Sequence, residues 1–192
     1  MLFDETYFKS LNYTNYLERE IRYKKMAQEL AEYLCWKDKL RHFCKLLDFG
    51  CAVGFFAKGL NELGFSCDGY DISDWAQIEA KKRGINVVSF EPSQYDVMFA
   101  FDVFEHMSDD EITAALDVFS PKFLLFRIPC STDGGKTFHL EISKRDPTHI
   151  NCKTKTQWVD FLGKHGFGHF EPIDLYTIYD TDGVMCYICQ KE

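Results

Sequence analysis

Lys45-Leu46-Leu47-Asp48-Phe49-Gly50-Cys51-Ala52-Val53-Gly54-Phe55 reads as a short apolar strand running into a turn that carries two glycines four residues apart. Glycine lets a backbone adopt positive φ and approach a ligand with no Cβ in the way. A helix is expected over 52–63, closed by Gly64 where a left-handed residue commonly ends a helix. The spacing is not G-x-G-x-x-G and no G-K-[ST] follows, so loops that cradle nucleoside diphosphates fit poorly. A second strand over 66–71 ends in Asp71, about twenty residues beyond the glycines, where a carboxylate can accept both hydroxyls of a ribose.

The alternation continues on both sides of this unit. Upstream, Leu17, Ile21, Ala27, Leu30, Ala31 and Leu34 recur at helical intervals and predict a helix over 13–35. Downstream come a helix over 74–83 closed by Gly84, a third strand over 85–90 and a fourth over 96–102. The fourth is apolar through its middle, as a strand covered on both faces should be. Ser108 and Glu111 form a capping box that opens a helix to Phe119, and a fifth strand covers 123–128. Residues 129–151 show little regular pattern, and connections that long are usually functional or mobile. A helix from Thr156 to 165–166 follows, and strands over 169–179 and 184–190 flank Asp180-Thr181-Asp182-Gly183, a hairpin signal. The expected fold class is α/β: a Rossmann-like, seven-stranded mixed sheet with helices on both faces and an antiparallel hairpin as its last strands. Ligands of such sheets lie beyond the carboxyl ends of the strands. With no linker, repeat or low-complexity tract in 192 residues, one domain is expected, residues 1–40 forming a helical lid segment.

Composition narrows the function classes. At 46% hydrophobic and 16% aromatic residues, the chain has the material for a core, which excludes disorder and fibrous classes. The net charge of −8 argues against double-stranded DNA as a partner, because extended binding there draws on phosphate neutralisation. Lys144, Arg145, Lys153 and Lys155 make one local basic patch. No apolar run is long enough to span a bilayer, and residues 1–10 show no secretory pattern, so a cytoplasmic location is expected. The eight cysteines are then expected as buried thiols. Cys186 and Cys189 have C-x-x-C spacing but fall in a strand, where i and i+3 face opposite ways and cannot grip one metal.

Here the motifs converge on a known family. Leu47-Asp48-Phe49-Gly50-Cys51-Ala52-Val53-Gly54 resembles motif I of class I S-adenosylmethionine (SAM) dependent methyltransferases, and Gly69-Tyr70-Asp71-Ile72-Ser73 resembles their second motif. Tyr95-Asp96-Val97 through Asp102-Val103-Phe104-Glu105-His106 resembles the fourth-strand motif, so the likeness spans roughly residues 40–190. The resemblance implies SAM as cofactor, with Gly50, Cys51 and Gly54 passing backbone beneath its methionine portion and Asp48 facing the ammonium. Asp71 would hold the ribose, Ile72 would pack on the adenine, and Asp102 and Val103 would floor the sulfonium; Phe55 and Phe90 complete the implied cofactor-binding set. Relatives often carry an acidic residue after the third strand for the adenine amine, and here only Phe90-Glu91-Pro92-Ser93-Gln94 precedes Tyr95.

Methyl transfer needs a base only when the acceptor holds a proton on the attacking atom. His106, directly after the fourth strand, and His149, in Asp146-Pro147-Thr148-His149, are the catalytic candidates, with His139 a third; each also reads as a histidine that orders its loop. Asp146 before a proline also reads as a turn former. Asp102-x-x-Glu105-His106 further resembles the E-x-x-E-H metal motif of ubiquinone-biosynthesis and small-RNA 2′-O-methyltransferases, which His149 or His139 would complete. The expected acceptor is an oxygen or nitrogen of a small molecule, with a sugar or polysaccharide precursor favoured by resemblance. Rivals are a metal-dependent enzyme acting on an RNA ribose or quinone hydroxyl, and a SAM-binding protein without turnover. Phe3, Tyr7, Phe8, Tyr13 and Tyr16 read as an apolar lid or as rings that close on a ligand. Trp75 fits either the adenine or its own helix, and Trp158 has core spacing.

Overall fold

The computed structural model describes residues 3–9, 18–42 and 44–192. In chain order the helices are α1 (Glu5–Phe8), α2 (Glu20–Trp36), α3 (Phe55–Glu62), α4 (Asp74–Lys82), α5 (Asp109–Phe119), α6 (Glu141–Arg145) and α7 (Lys155–Lys164). The strands are β1 (Lys45–Phe49), β2 (Ser66–Tyr70), β3 (Val97–Phe101), β4 (Phe123–Pro129), β5 (Phe167–Pro172) and β6 (Val184–Lys191). Among the described residues they form one six-stranded sheet in the order β2-β1-β3-β4-β6-β5. The first four strands run parallel, and β6 joins β4 and β5 antiparallel.

One expected strand is missing, so the sheet has six rather than seven. The backbone of residues 85–90 pairs with β2 through a single bridge between Gly69 and Val87, with Gly69 N–H donating to Asn86 O and Val88 N–H to Gly69 O. The Ile85 amide is already spent closing α4 on Ala80 O, and Glu91 N–H turns back to Ser89 O. Pairing is cut off from both ends after one repeat. Helix α3 also begins later than its apolar pattern implies. Ala52 at φ 48 and Gly54 at φ 82 are left-handed, and a left-handed residue cannot continue a right-handed helix.

The antiparallel pair forms as expected, but β5 ends at Pro172, before the chain loops to a tight turn in which Thr181 and Val184 exchange backbone hydrogen bonds around Asp182-Gly183. Both capping boxes close: Ser108 with Glu111 on α5, and Thr154 with Gln157 on α7. The connection over 129–151 is held throughout. Cys130 N–H donates to Gly183 O, Ser131 N–H to Lys153 O, and the Asp133 carboxylate accepts the Lys136 and Thr137 amides.

Alternation along the strands builds two cores. Leu46, Phe99, Leu125 and Cys186 face α2 and α3, while Leu47, Met98, Phe126 and Cys189 face α5 and α7. Cys186 and Cys189 therefore do point to opposite faces, and Trp158 is core. All eight cysteines are free thiols, but Cys35 is exposed and Cys152 half-buried, because both lie outside the sheet's interior. Among the described residues, no helix is long and apolar enough to cross a membrane. Residues 13, 16 and 17, expected in the first helix, the first two also in the aromatic segment, lie outside the described residues.

Candidate active site

The carboxyl ends of β1, β2 and β3 are tied together by their own backbones. Gly50 and Cys51 N–H both donate to Tyr70 O, at 2.7 and 2.9 Å, so the turn after β1 leans on the end of β2. Asp71 then reaches back: its Oδ2 accepts Ala52 N–H at 2.8 Å and its Oδ1 accepts Ser73 N–H at 2.9 Å. On the other side, a Cβ built on Gly50 would lie 2.4 Å from Val103 Cγ2, so the turn fits against the residues after β3 only as glycine at φ +77. Gly54 is equally fixed, by Ile85.

Three carboxylates surround this junction in different states. Asp48 is 4% exposed and accepts Ala57 N–H at 3.3 Å. Burial raises its pKa to about 7, with the Ala57 bond opposing and the Asp71 charge adding to the rise. Burial also raises Asp71, against the two amides it accepts. Asp102 has φ 55, unusual for a residue with a Cβ, and its Oδ2 meets Arg127 Nη2 at 2.9 Å. Beside Asp71, Ile72 is 63% exposed, and Phe90, packed on the Tyr70 ring, is 43% exposed. Cys51 is buried against Gly69. Phe55 is buried beneath Arg83 and Tyr23, so its side chain faces packing and not the open end of the sheet.

His106 ends a 3₁₀ turn, Phe104–His106, and its ring stands 4.6 Å from that of His149. Asp146 does form the turn that presents this loop: its Oδ1 accepts Thr148 N–H at 2.9 Å and the Thr148 hydroxyl at 2.6 Å. A hydroxyl that donates to Asp146 must accept at His106 Nδ1, 2.8 Å away, and the Thr148 carbonyl at 3.3 Å can only accept as well. Both contacts assign the proton to Nδ1 and leave the lone pair on Nε2. Burial, and then the neighbouring His149, pull the His106 pKa down to about 4. Burial lowers His149 too. His149 Nε2 lies 3.7 Å from Asp146 Oδ2 and 4.0 Å from Glu105 Oε1.

Glu105 is 1% exposed, its Oε2 has no partner among the described residues, and burial together with Asp102 holds its pKa well above the usual carboxylate range. Ligand atoms of Glu105, His106 and His149 lie within 4.8 Å of one another. Asp102 is taken by Arg127, and His139 is elsewhere, bonded to Thr132 Oγ1 at 3.1 Å.

Helix α1 lies across the same end of the sheet. Phe3 meets His106 edge-on at 5.5 Å, while Phe8 stacks on Trp75 at 5.3 Å and packs with Ala52, Val53 and Ala76. Thr148, Arg127, Arg19 and Arg22 are the residues at this end that motif reading passed over. Thr148 follows an Asp-Pro turn, and Arg127 is a lone charge inside an apolar strand, a placement that is rare unless paired.

A family model described as a methyltransferase domain matches residues 17–171. No curated protein matches the chain. Among solved structures, magnesium protoporphyrin IX methyltransferase from Synechocystis with bound SAH is 16% identical, with 97% of each chain covered and a TM-score of 0.63. A SAM-dependent methyltransferase from Archaeoglobus fulgidus is 16% identical over 92% of this chain and 100% of that one, with a TM-score of 0.62. One from Clostridium acetobutylicum is 14% identical over 93% and 97%, with a TM-score of 0.65. At such identities the likeness is one of fold.

Proposed function

This chain belongs to the methyltransferase-domain family, and we propose that it transfers the methyl group of SAM to an oxygen or nitrogen of a small-molecule acceptor, a sugar or polysaccharide precursor being the favoured class. The observation that carries this reading is the junction of three strand ends, where the Ala52–Asp71 bond and the Gly50–Val103 contact lock a glycine turn, a carboxylate and a floor into one frame. The cofactor fits that frame. Asp71 uses one lone pair per oxygen on backbone and keeps acceptor capacity for two ribose hydroxyls. Ile72 and Phe90 offer exposed apolar surface to the adenine. Asp48, once ionised, stands opposite the ammonium, the backbone of Gly50, Cys51 and Gly54 underlies the methionine portion, and Asp102 and Val103 form the floor. Phe55 supports the turn from beneath.

Bound SAM supplies an already activated methyl group, so the protein's part is alignment and proton removal. His106 presents Nε2 as a neutral acceptor at physiological pH, with Thr148 and Asp146 fixing its tautomer. His149 packs beside it and shares the role of base. Helix α1 and the Phe3 that precedes it serve as a lid over both ends of the site, Phe3 at the base and Phe8 at Trp75.

A second reading has one observation behind it, the approach of Glu105, His106 and His149, which a divalent cation could bridge in an enzyme acting on a ribose or quinone hydroxyl. Loss of turnover in chelator with rescue by Mn²⁺ would favour it. The primary test is calorimetric: S-adenosylhomocysteine titrated into metal-stripped protein should bind one-to-one near −8 kcal/mol, about micromolar, and NAD should not. Absence of that binding would sink the reading.

A further inference from the structure

Around Asp102 the molecule collects more positive charge than the one carboxylate there balances. A cavity of about 60 Å³ opens at the ends of β3 and β4, lined by Arg19, Arg22 and Tyr23 of the α2 end and by Phe101, Asp102 and Arg127. Arg127 is half-buried, and the Asp102 carboxylate favours its charged form. Among the described residues no carboxylate pairs with Arg19 or Arg22, although the chain carries 30 acidic residues against 22 basic ones. Three guanidinium groups thus share one carboxylate in a strongly acidic protein. Asp102 accepts a left-handed backbone at that spot, and strain of this kind persists where the surroundings impose it, often at ligand sites.

The place on the sheet decides what the charge is for. Asp71 ends β2 and the glycine turn ends β1, whereas Arg127 sits on β4, two strands beyond β1 in the order β2-β1-β3-β4. The arginines therefore lie past the sulfonium floor, on the side away from the ribose carboxylate. The cavity has room for one oxyanion head, the rest of an acceptor lying outside it. Guanidinium forks recognise carboxylate and phosphate oxygens in pairs.

We propose that Arg19, Arg22 and Arg127 form an oxyanion-binding site for the methyl acceptor, so that the acceptor carries a carboxylate or phosphate group beside the atom to be methylated. This rests on the methyltransferase reading above. The site anchors the acceptor's charge while His106, four residues beyond Asp102 in the chain, addresses its reactive atom.

The test uses the full chain saturated with S-adenosylhomocysteine, into which acetate or inorganic phosphate is titrated at constant ionic strength with chloride as the control. Saturable shifts of arginine Nε–Hε NMR signals are expected for both probes, lost or weakened at least fivefold in Arg22→Gln and Arg19→Gln, which are surface changes and leave the fold intact. Acetate and phosphate separate the two anion sources by their relative affinities. No saturable shift in the saturated protein overturns the proposal. A tenfold loss of S-adenosylhomocysteine affinity in Arg22→Gln, with 5′-methylthioadenosine affinity unchanged, also overturns it, because the arginines would then serve the cofactor's own carboxylate. Failure of the first S-adenosylhomocysteine titration would instead strike the methyltransferase reading itself.

Discussion

Asp48 is a buried acid poised near neutrality, and that state ties cofactor affinity to pH. Burial favours its neutral form, with a pKa of about 7, while an ammonium placed opposite it favours the carboxylate. Affinity for S-adenosylhomocysteine should rise as pH goes from 5.5 to 7, by up to about tenfold per unit, and level off above. Asp48→Asn should flatten that curve; an unchanged slope in the variant would place the ammonium elsewhere. His106 follows the opposite logic. The ring stays neutral until about pH 4, so kcat at saturating cofactor should hold level down to about pH 5 and fall below. His106→Ala is expected to lower kcat about 10²-fold with cofactor affinity intact. Thr148→Val, which removes the nearer of the two acceptors that hold the Nδ1 proton, should cause a smaller loss in kcat and none in cofactor affinity. Equal rates for wild type and His106→Ala would remove His106 from the chemistry.

Helix α1 is too short to be stable by itself, since a single turn does not repay the cost of nucleation. What holds it is Phe8, 6% exposed and stacked on Trp75 above the Ala52-Val53 turn. Burying such a ring is worth about 1.5–3 kcal/mol, enough to keep the element closed and little enough to let it open. Phe8→Ala should therefore speed S-adenosylhomocysteine dissociation roughly tenfold or more, since a 1.4 kcal/mol loss is already tenfold, and lower the melting temperature of the unliganded protein by only a few degrees. Stopped-flow displacement reads the first and calorimetry the second; an unaltered dissociation rate would mean that α1 is a fixed wall. Elements like this explain where pattern reading succeeds and fails. Capping boxes are local chemistry, so Ser108 and Thr154 announce their helices in the sequence. The expected strand over 85–90 has the right residues, but its first amide is consumed by α4 and its end turns at Ser89–Glu91, competitions that apolar patterning does not register.

Across the whole molecule, what the sequence displays and what it hides divide along contact range. The strand ends and the turn that carry Asp48, Gly50, Asp71 and Asp102 are legible because such residues mark themselves within a few positions. The Thr148–His106 bond joins residues 42 apart, and the arginine cavity gathers Arg19 with Arg127, so neither follows from local pattern. The same long-range burial sets the final prediction, the pH dependence of stability. Asp48, Asp71 and Glu105 all have raised pKa values in the fold, mainly through burial. A raised acid contributes stability that is fully present below its unfolded pKa and is lost as pH climbs through the folded one. For Asp48 that window runs from about 4 to about 7 and is worth up to about 4 kcal/mol. His106 works against it: with its pKa lowered to about 4, its contribution is present above about 6.5 and lost as pH falls, about 3 kcal/mol in all. Surface acids with lowered values, such as Asp96 and Glu111, have made their contribution by about pH 5. Three raised acids oppose two lowered histidines, and growing negative charge adds self-repulsion as pH rises. The unliganded protein should thus melt higher near pH 5.5 than near pH 8, in one cooperative transition if the chain is the single domain we propose. Asp48→Asn should shrink that difference and His106→Ala should widen it, both read by scanning calorimetry. A wild-type protein more stable at pH 8 than at pH 5.5 would show that the buried acids are ionised in the fold, and with them the neutral state assigned to Asp48 would fall.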